Sequence, residues 1–161
     1  KMTKDELIQH VLQQEQETVL HHFTSGDIRR LADYLMDVAD GLSDPVMVRI
    51  SLGKQIVFQY TANGCSPDKE HWLDRKSNTV FNFHHASLWM YYKTDGDNSV
   101  LEKKYGLSTM EYTVSDGAVP ICVDGVGFIG VLAMSGIPGL LNDHKLCIEA
   151  LKWLKGEQEN G

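Results

Sequence analysis

Two segments near the start of the chain repeat apolar residues at the three- and four-residue spacing of amphipathic helices. The first starts at Thr3, which forms a capping-box pattern with Glu6, and runs to about residue 19. The second begins at Thr24 or Ser25, both suitable N-cap residues. Each helix should turn one apolar stripe toward a core.

Four shorter segments have the composition and alternation of β-strands. They are residues 46–50, 55–60, 118–123 and 126–135. Gly53-Lys54 separates the first two segments, and Asp124-Gly125, a dipeptide favoured in tight hairpin turns, separates the last two. The pattern therefore predicts two β-hairpins.

The longest uninterrupted segment, from Pro67 to about Lys93, predicts a single long helix, because Ser66 is a suitable N-cap and proline fits the first helical position. In its second half, apolar and aromatic residues surround the whole circumference. A helix of that kind is normally buried on every side, and one small domain rarely supplies so much cover. We therefore expect a contact with another subunit, through some of Phe81, Leu88, Trp89 and Tyr92.

Two further helices are expected, a short one over residues 99–105 and a last one from about residue 142. Residues 156–161 are polar, and we expect this tail to be frayed. The remaining chain, residues 3–155, should form one α/β domain, because its length suits a single core.

Composition narrows the classes of partner. A formal net charge of −7 disfavours nucleic acid, since such binding depends on Lys and Arg neutralising phosphates. No apolar run approaches the roughly 20 residues of a membrane span, and no signal peptide is visible. Three widely spaced cysteines and the adjacent histidine pairs 21–22 and 84–85 do not form a metal-binding pattern. These features predict a cytoplasmic protein with no metal, no membrane contact and no nucleic-acid partner.

Two possible motifs, one for nucleotide binding and one for catalysis, lack either the required structural context or a required residue. Gly125, Gly127 and Gly130 match the dinucleotide pattern G-x-G-x-x-G, but a strand-like segment follows them where a helix is required. Ser135 lacks the first glycine of the hydrolase nucleophile elbow. Neither motif therefore defines a reaction.

Two groups of residues are stronger candidates for a binding site. Trp72, Arg75 and Lys76 lie within about one helical turn and suit an anion-binding edge with an aromatic wall, or else a solvated helix flank. Asp143 and His144 fall in the first turn of the last helix, where backbone N–H groups are free to hold an anion. The alternative is structural, with Asp143 as a cap and His144 bonded to a loop carbonyl.

These residues belong to an ordered series of short motifs. The series is Trp72-Leu-Asp-Arg75-Lys76, Phe83-His-His85-Ala-Ser87, Tyr105-Gly106-Leu107, Gly117-Ala-Val-Pro120-Ile, Gly125-Val-Gly127, Ser135-Gly136-Ile-Pro138 and Asp143-His144. From about residue 5 to 155 it resembles the UPF0303 group of the haem-degrading-like (HbpS/GlcG-like) family. The resemblance rests on the order of the motifs, because each of them alone is weak.

The resemblance implies a profilin-like, GlcG-like architecture, in which a central antiparallel sheet of about five strands carries helices on both faces. It also implies assembly into dimers or rings of dimers, and haem binding in some relatives. Where relatives usually read His-Gly-Gly, this chain has Ser115-Asp116-Gly117, so a function that needs that histidine is not carried over. The candidate ligand-binding residues are Trp72, Arg75, Lys76, His85, Ser135, Gly136, Asp143 and His144.

The leading hypothesis is a homo-oligomeric small-molecule-binding protein, with haem or another planar or anionic ligand as the candidate and no certain cofactor. An enzyme with His144 as general acid or base near Arg75 is an alternative that requires convergent geometry. A structural or adaptor oligomer without a ligand is another. We expect His144 to face a pocket shared with Arg75, within one chain or across a subunit boundary.

Overall fold

Four strands form one antiparallel sheet in the computed structural model, which describes residues 1–161. The strands are β1 (Met47–Leu52), β2 (Gln55–Thr61), β3 (Ala118–Val123) and β4 (Gly127–Ser135). Their order is β2-β1-β4-β3, so the two predicted hairpins are confirmed and join through the central pair of β1 and β4. The mixed α/β class is confirmed too, with four strands and not about five. Beside β3 the chain adds only one bridging residue, Leu20.

Six helices surround this sheet. They are α1 (Lys4–Glu17), α2 (Ser25–Gly41), α3 (Asp68–Phe83), α4 (Ser87–Lys93), α5 (Ser99–Tyr105) and α6 (Asn142–Asn160). The predicted capping box at Thr3 is present, and Thr24 caps α2 in the same way. None of the six helices combines the length and the apolar character needed to cross a bilayer.

The two faces of the sheet carry separate apolar clusters, because successive side chains of a strand point to opposite sides. On one face α3 packs Leu73 and Val80 onto alternate residues of β1, β3 and β4. On the other face α2 and α6 cover the larger cluster. It includes Leu31, Leu35, Val48, Ile50, Leu132, Met134, Cys147 and Leu151. Helix α3 leaves the edge strand β2 less covered than its neighbours.

The prediction of one helix over residues 67–93 is wrong. The chain leaves α3 at His84, whose backbone is left-handed with φ 58°. Glu15 of α1 then holds the break, since its carboxylate lies 2.7 Å from Nδ1 of His85 and accepts the N–H of Ala86 at 2.8 Å. This partner is 71 residues away from Ala86, so helical periodicity could not reveal it.

The break changes the basis for the predicted subunit contact. Leu88 is buried in the chain's own main core, and Trp89 and Tyr92 pack against the same cluster. Phe81 lies against Phe128, with the ring centroids 6.3 Å apart. Much of the apolar surface that suggested a partner subunit is therefore covered within one chain.

Helix α6 continues to Asn160 and so includes most of the polar tail that we expected to be frayed. Gln158 anchors this last part of the helix to the segment between α1 and α2. Its side chain accepts the N–H of His21 at 3.0 Å and donates to the carbonyl of His22 at 2.8 Å.

Candidate functional site

A cavity of about 390 Å³ lies where α3, the end of β4 and the start of α6 meet. We call it the Trp72 cavity. The structure brings five of the eight candidate ligand-binding residues together in its lining. These are Trp72, Lys76, Ser135, Gly136 and Asp143, beside Asp68, Lys69, Tyr91, Ser115, Asp116 and residues 137–140.

A buried ion pair forms the floor of the Trp72 cavity. Lys76 Nζ lies 3.2 Å from Asp143 Oδ2 and donates to the carbonyl of Met134 at 2.9 Å. The other carboxylate oxygen of Asp143 accepts the N–H of Ile137 at 3.2 Å. Burial raises the pKa of Asp143 above its ordinary value, although the Lys76 ammonium opposes this change. Each buried charge thus has the partners that make its burial tolerable.

Gly117 makes this close packing feasible. Its φ is 114°, a left-handed conformation that strongly favours glycine. A Cβ at this position would lie 2.6 Å from the carbonyl oxygen of Met134 and 2.8 Å from both Asp143 Cβ and Lys76 Nζ. The motif Gly117-Ala-Val-Pro120 therefore needs glycine at its first position because any side chain there would collide with the ion pair.

Asp116 occupies the N-terminus of α6, where the sequence predicted free backbone N–H groups for an anion. Its Oδ2 accepts the N–H groups of Leu141 at 3.1 Å and of His144 at 3.3 Å. Leu141 itself has a left-handed backbone with φ 81°, which is unfavourable for a branched side chain. The Ser115-Asp116 departure marked this position, but sequence reasoning did not assign Asp116 a role. The chain supplies its own anion at this helix end.

His144 does lie in the first turn of α6, but the expected pocket shared with Arg75 is absent from the single chain. Its Nε2 lies 2.7 Å from Oε1 of Gln14 on α1, and its buried Nδ1 has no hydrogen-bond partner. Burial lowers the pKa of His144 to about 4, with a smaller contribution from nearby His10. A general acid or base that works near neutral pH needs a pKa of about 7, which this buried imidazole does not have. Because adjacent helical residues point about 100° apart, Asp143 reaches the cavity while His144 faces α1.

The remaining two candidates also lie outside the Trp72 cavity. Arg75 stacks its guanidinium 4.3 Å from the ring of Trp72, but it lines a second cavity of about 440 Å³. We call this second cavity the Arg49 cleft. His85 binds Glu15 and packs on Trp89, with ring centroids 4.4 Å apart, so it serves the junction of α1 and α4.

The Trp72 cavity does not suit haem within one chain. A haem site combines an apolar slot with an axial ligand from His, Cys, Met or Tyr. Only 4 of the 14 lining residues are hydrophobic, and Tyr91 is the sole side chain of an axial-ligand type among them. The chain also holds no group of three or more His, Cys, Asp or Glu side chains arranged for a metal ion. The arrangement suits hydrogen bonding to a small polar molecule.

Comparison with known proteins identifies relatives over most of the chain. The family described as haem degrading protein HbpS-like matches residues 23–152. A UPF0303 protein of Serratia proteamaculans is 33% identical over 155 residues, which cover 96% of each chain. A UPF0303 protein of Paraburkholderia phymatum is 34% identical over 146 residues, 89% of this chain and 87% of the relative.

Solved structures share the architecture. The crystal structure of Ybr137w protein matches 94% of this chain and 90% of its own, with a TM-score of 0.86 and 24% identity. A PduOC:Heme complex matches 81% of this chain and 93% of its own, with a TM-score of 0.62 and 17% identity. At these identities the structures demonstrate a common fold.

Proposed function

This chain belongs to the haem-degrading HbpS-like family, and from that premise we propose that it binds a small molecule in the Trp72 cavity. The observation that carries the proposal is the convergence of distant segments on one buried ion pair. Lys76 and Asp143 are 67 residues apart, and the Ser115-Asp116 loop reaches the same cavity. Buried charges are costly to maintain, and they concentrate where a site needs fixed polar groups.

The chemistry of the lining favours a planar, neutral or cationic ligand. Three aspartates and two lysines line the cavity, and the N-terminus of α6 is already occupied by Asp116. A strong anion would therefore meet more negative than positive charge. Trp72 offers an aromatic surface, and the carboxylates offer acceptors for hydroxyl or amine groups.

A fragment screen by ligand-observed NMR tests the proposal. Planar compounds with hydroxyl or amine groups should bind the wild-type protein, and Trp72→Ala should weaken them at least tenfold. Trp153→Ala is the matched control, because Trp153 stacks on Tyr34 away from both cavities. Equal binding by wild type and Trp72→Ala, with circular dichroism showing both folded, would falsify the assignment.

Haem is a second candidate ligand, supported by the likeness to the PduOC:Heme complex. Of the two cavities beside α3, only the Arg49 cleft contains a histidine, His71, and Met110 lies in the same lining. Titration with haemin should then shift the Soret band in the wild type, and His71→Ala should abolish that shift. An unshifted band in the wild type removes haem from consideration.

We also propose that the chain forms a homo-oligomer. Support comes from an apolar surface at the β3–β4 turn, where Val126, which is 70% exposed, lines a shallow cavity together with Phe23, Val123 and Ile129. Light scattering at micromolar concentration should give a mass above that of one chain. Val126→Lys should lower that mass if the β3–β4 turn is part of the contact, while a monomeric wild type contradicts the proposal.

A further inference from the structure

The Arg49 cleft lies where α3 leaves the edge of the sheet open. Helix α3 crosses β1, β3 and β4, and the cleft of about 440 Å³ forms between it, the β1–β2 hairpin and residues 110–111. It shares no lining residue with the Trp72 cavity. The stacked pair of Trp72 and Arg75 contributes one residue to each cavity.

A buried arginine with an unused donor group lies in this cleft. Arg49 Nε donates to Gln59 Oε1 at 2.7 Å, and Nη1 donates to Asp74 Oδ1 at 2.6 Å. Nη2 donates to no atom of the protein. A guanidinium is recruited for fork-shaped recognition of carboxylate and phosphate groups, so this unused edge is suited to an anionic oxygen.

Two further cations line the cleft without an acidic partner. Arg75 stacks on Trp72, and Lys54 lies 5.9 Å from the ring centroid of Phe81, but neither forms an ion pair. Three cations and only two carboxylates line this cleft in a chain whose net charge is −7. Positive charge is thus concentrated locally against the overall balance.

A buried hydroxyl on α3 adds an independent observation. Ser77 lines the same cleft, its side chain is buried, and its Oγ has no hydrogen-bond partner in the protein. Buried polar atoms are nearly always bonded, so the Ser77 hydroxyl lacks a partner that must come from outside the chain, either water or a ligand.

We infer that the Arg49 cleft binds a small organic anion. Its carboxylate or phosphate oxygens would accept from Arg49, Arg75 and the Ser77 hydroxyl, and its apolar part would contact Phe81 and Ile56. The ligand class is opposite in charge to the one proposed for the Trp72 cavity. A failure of one proposed site therefore does not contradict the other.

Isothermal titration with phenyl phosphate and with benzoate tests this site in the full-length protein. Acetate and inorganic phosphate serve as probes without an apolar part and should bind more weakly. Arg75→Gln should raise the Kd at least tenfold, and Ser77→Ala should raise it about threefold. A preference for one of the two aromatic probes distinguishes a phosphate site from a carboxylate site.

Two control variants keep the result interpretable. Arg29→Gln removes a cation on α2 that lines neither cavity, and Lys69→Gln removes one from the Trp72 cavity. Both should retain wild-type affinity for the anions. The inference is overturned if millimolar probes do not bind, if Arg75→Gln binds as tightly as the wild type, or if Lys69→Gln is the variant that loses binding.

Discussion

The two cavities beside α3 each contain a buried cation paired with an aspartate, but the pairs differ in how much water reaches the carboxylate. In the Trp72 cavity the side chains of Lys76 and Asp143 are 5% and 8% exposed and 3.2 Å apart. In the Arg49 cleft Arg49 is 6% exposed, while Asp74, at 2.6 Å, is 51% exposed. We call Lys76–Asp143 the closed pair and Arg49–Asp74 the open pair.

This difference separates two uses of the same interaction. When both partners are enclosed, each is the other's main compensation, and the pair becomes a fixed floor for the cavity. When the carboxylate is half exposed, solvent weakens its hold on the guanidinium, and donors remain for a ligand. We therefore expect the closed pair to dominate stability and the open pair to dominate anion recognition.

The largest effect is expected from breaking the closed pair. Lys76→Met should lower the free energy of unfolding by about 3 to 5 kcal/mol, because Asp143 would remain buried without its counter-ion. Asp74→Asn should cost only about 1 kcal/mol, because the amide oxygen can still accept from Arg49 and water reaches this half-exposed position. Urea denaturation at pH 7 measures both changes.

The double variant Lys76→Met/Asp143→Leu provides the control for that experiment. It removes both charges and should recover much of the stability lost in Lys76→Met, since no unpaired charge stays buried. The comparison of the two pairs fails if Lys76→Met costs no more than Asp74→Asn.

The pH dependence of the free energy of unfolding should reveal the buried histidine at the start of α6. His144 has a pKa of about 4 when folded, against an ordinary value of 6.5, so the folded state keeps its imidazole neutral. The stability that this provides is present above pH 6.5 and is lost as the pH falls toward 4, because the unfolded chain then binds the proton first. The loss should be roughly 3 kcal/mol.

Denaturant midpoints between pH 7 and pH 4 measure this loss. His144→Gln should flatten this pH dependence, because it removes the buried imidazole whose pKa is lowered by folding. Identical slopes in the wild type and His144→Gln would assign the acid sensitivity to other groups.

Substitutions at two glycines with left-handed backbones test how tightly the floor of the Trp72 cavity is packed. Gly117→Ala should destabilise the protein by about 2 to 3 kcal/mol, because its Cβ would meet the Met134 carbonyl as well as adopting a strained φ. Gly125→Ala should cost only about 1 kcal/mol, since nothing lies within 4 Å of a Cβ at this turn. Thermal unfolding of both variants measures the difference, and equal losses would mean that backbone strain alone explains them.

The smallest effect is expected at the end of α6. Asp116→Ala should lower stability by about 1 kcal/mol, because two backbone N–H groups lose their acceptor. Asp68→Ala, another aspartate of the Trp72 cavity, makes no side-chain hydrogen bond and should change stability by less than about 0.5 kcal/mol. Differential scanning calorimetry distinguishes the two, and an unchanged melting temperature in Asp116→Ala would show that water replaces the cap.

Much of the fold was readable from the amino-acid sequence because its signals are local. A capping box joins residues three apart, as at Thr3 and Glu6, and a hairpin depends on a short turn such as Asp124-Gly125. Alternating apolar positions then identify which side of each strand is buried. The ordered motifs also identified the family, which the matches to UPF0303 proteins confirm.

The tertiary structure alone decided how the candidate residues divide between sites. Asp143 reaches Lys76 across 67 residues, while its neighbour His144 reaches Gln14 across 130, so adjacent residues of one motif serve different purposes. Asp116 closes the expected anion site at α6 from 28 residues away from His144, and Glu15 interrupts the predicted long helix. Such contacts depend on how distant elements pack. A local pattern of hydrophobic and polar positions does not specify which distant side chain will form the contact.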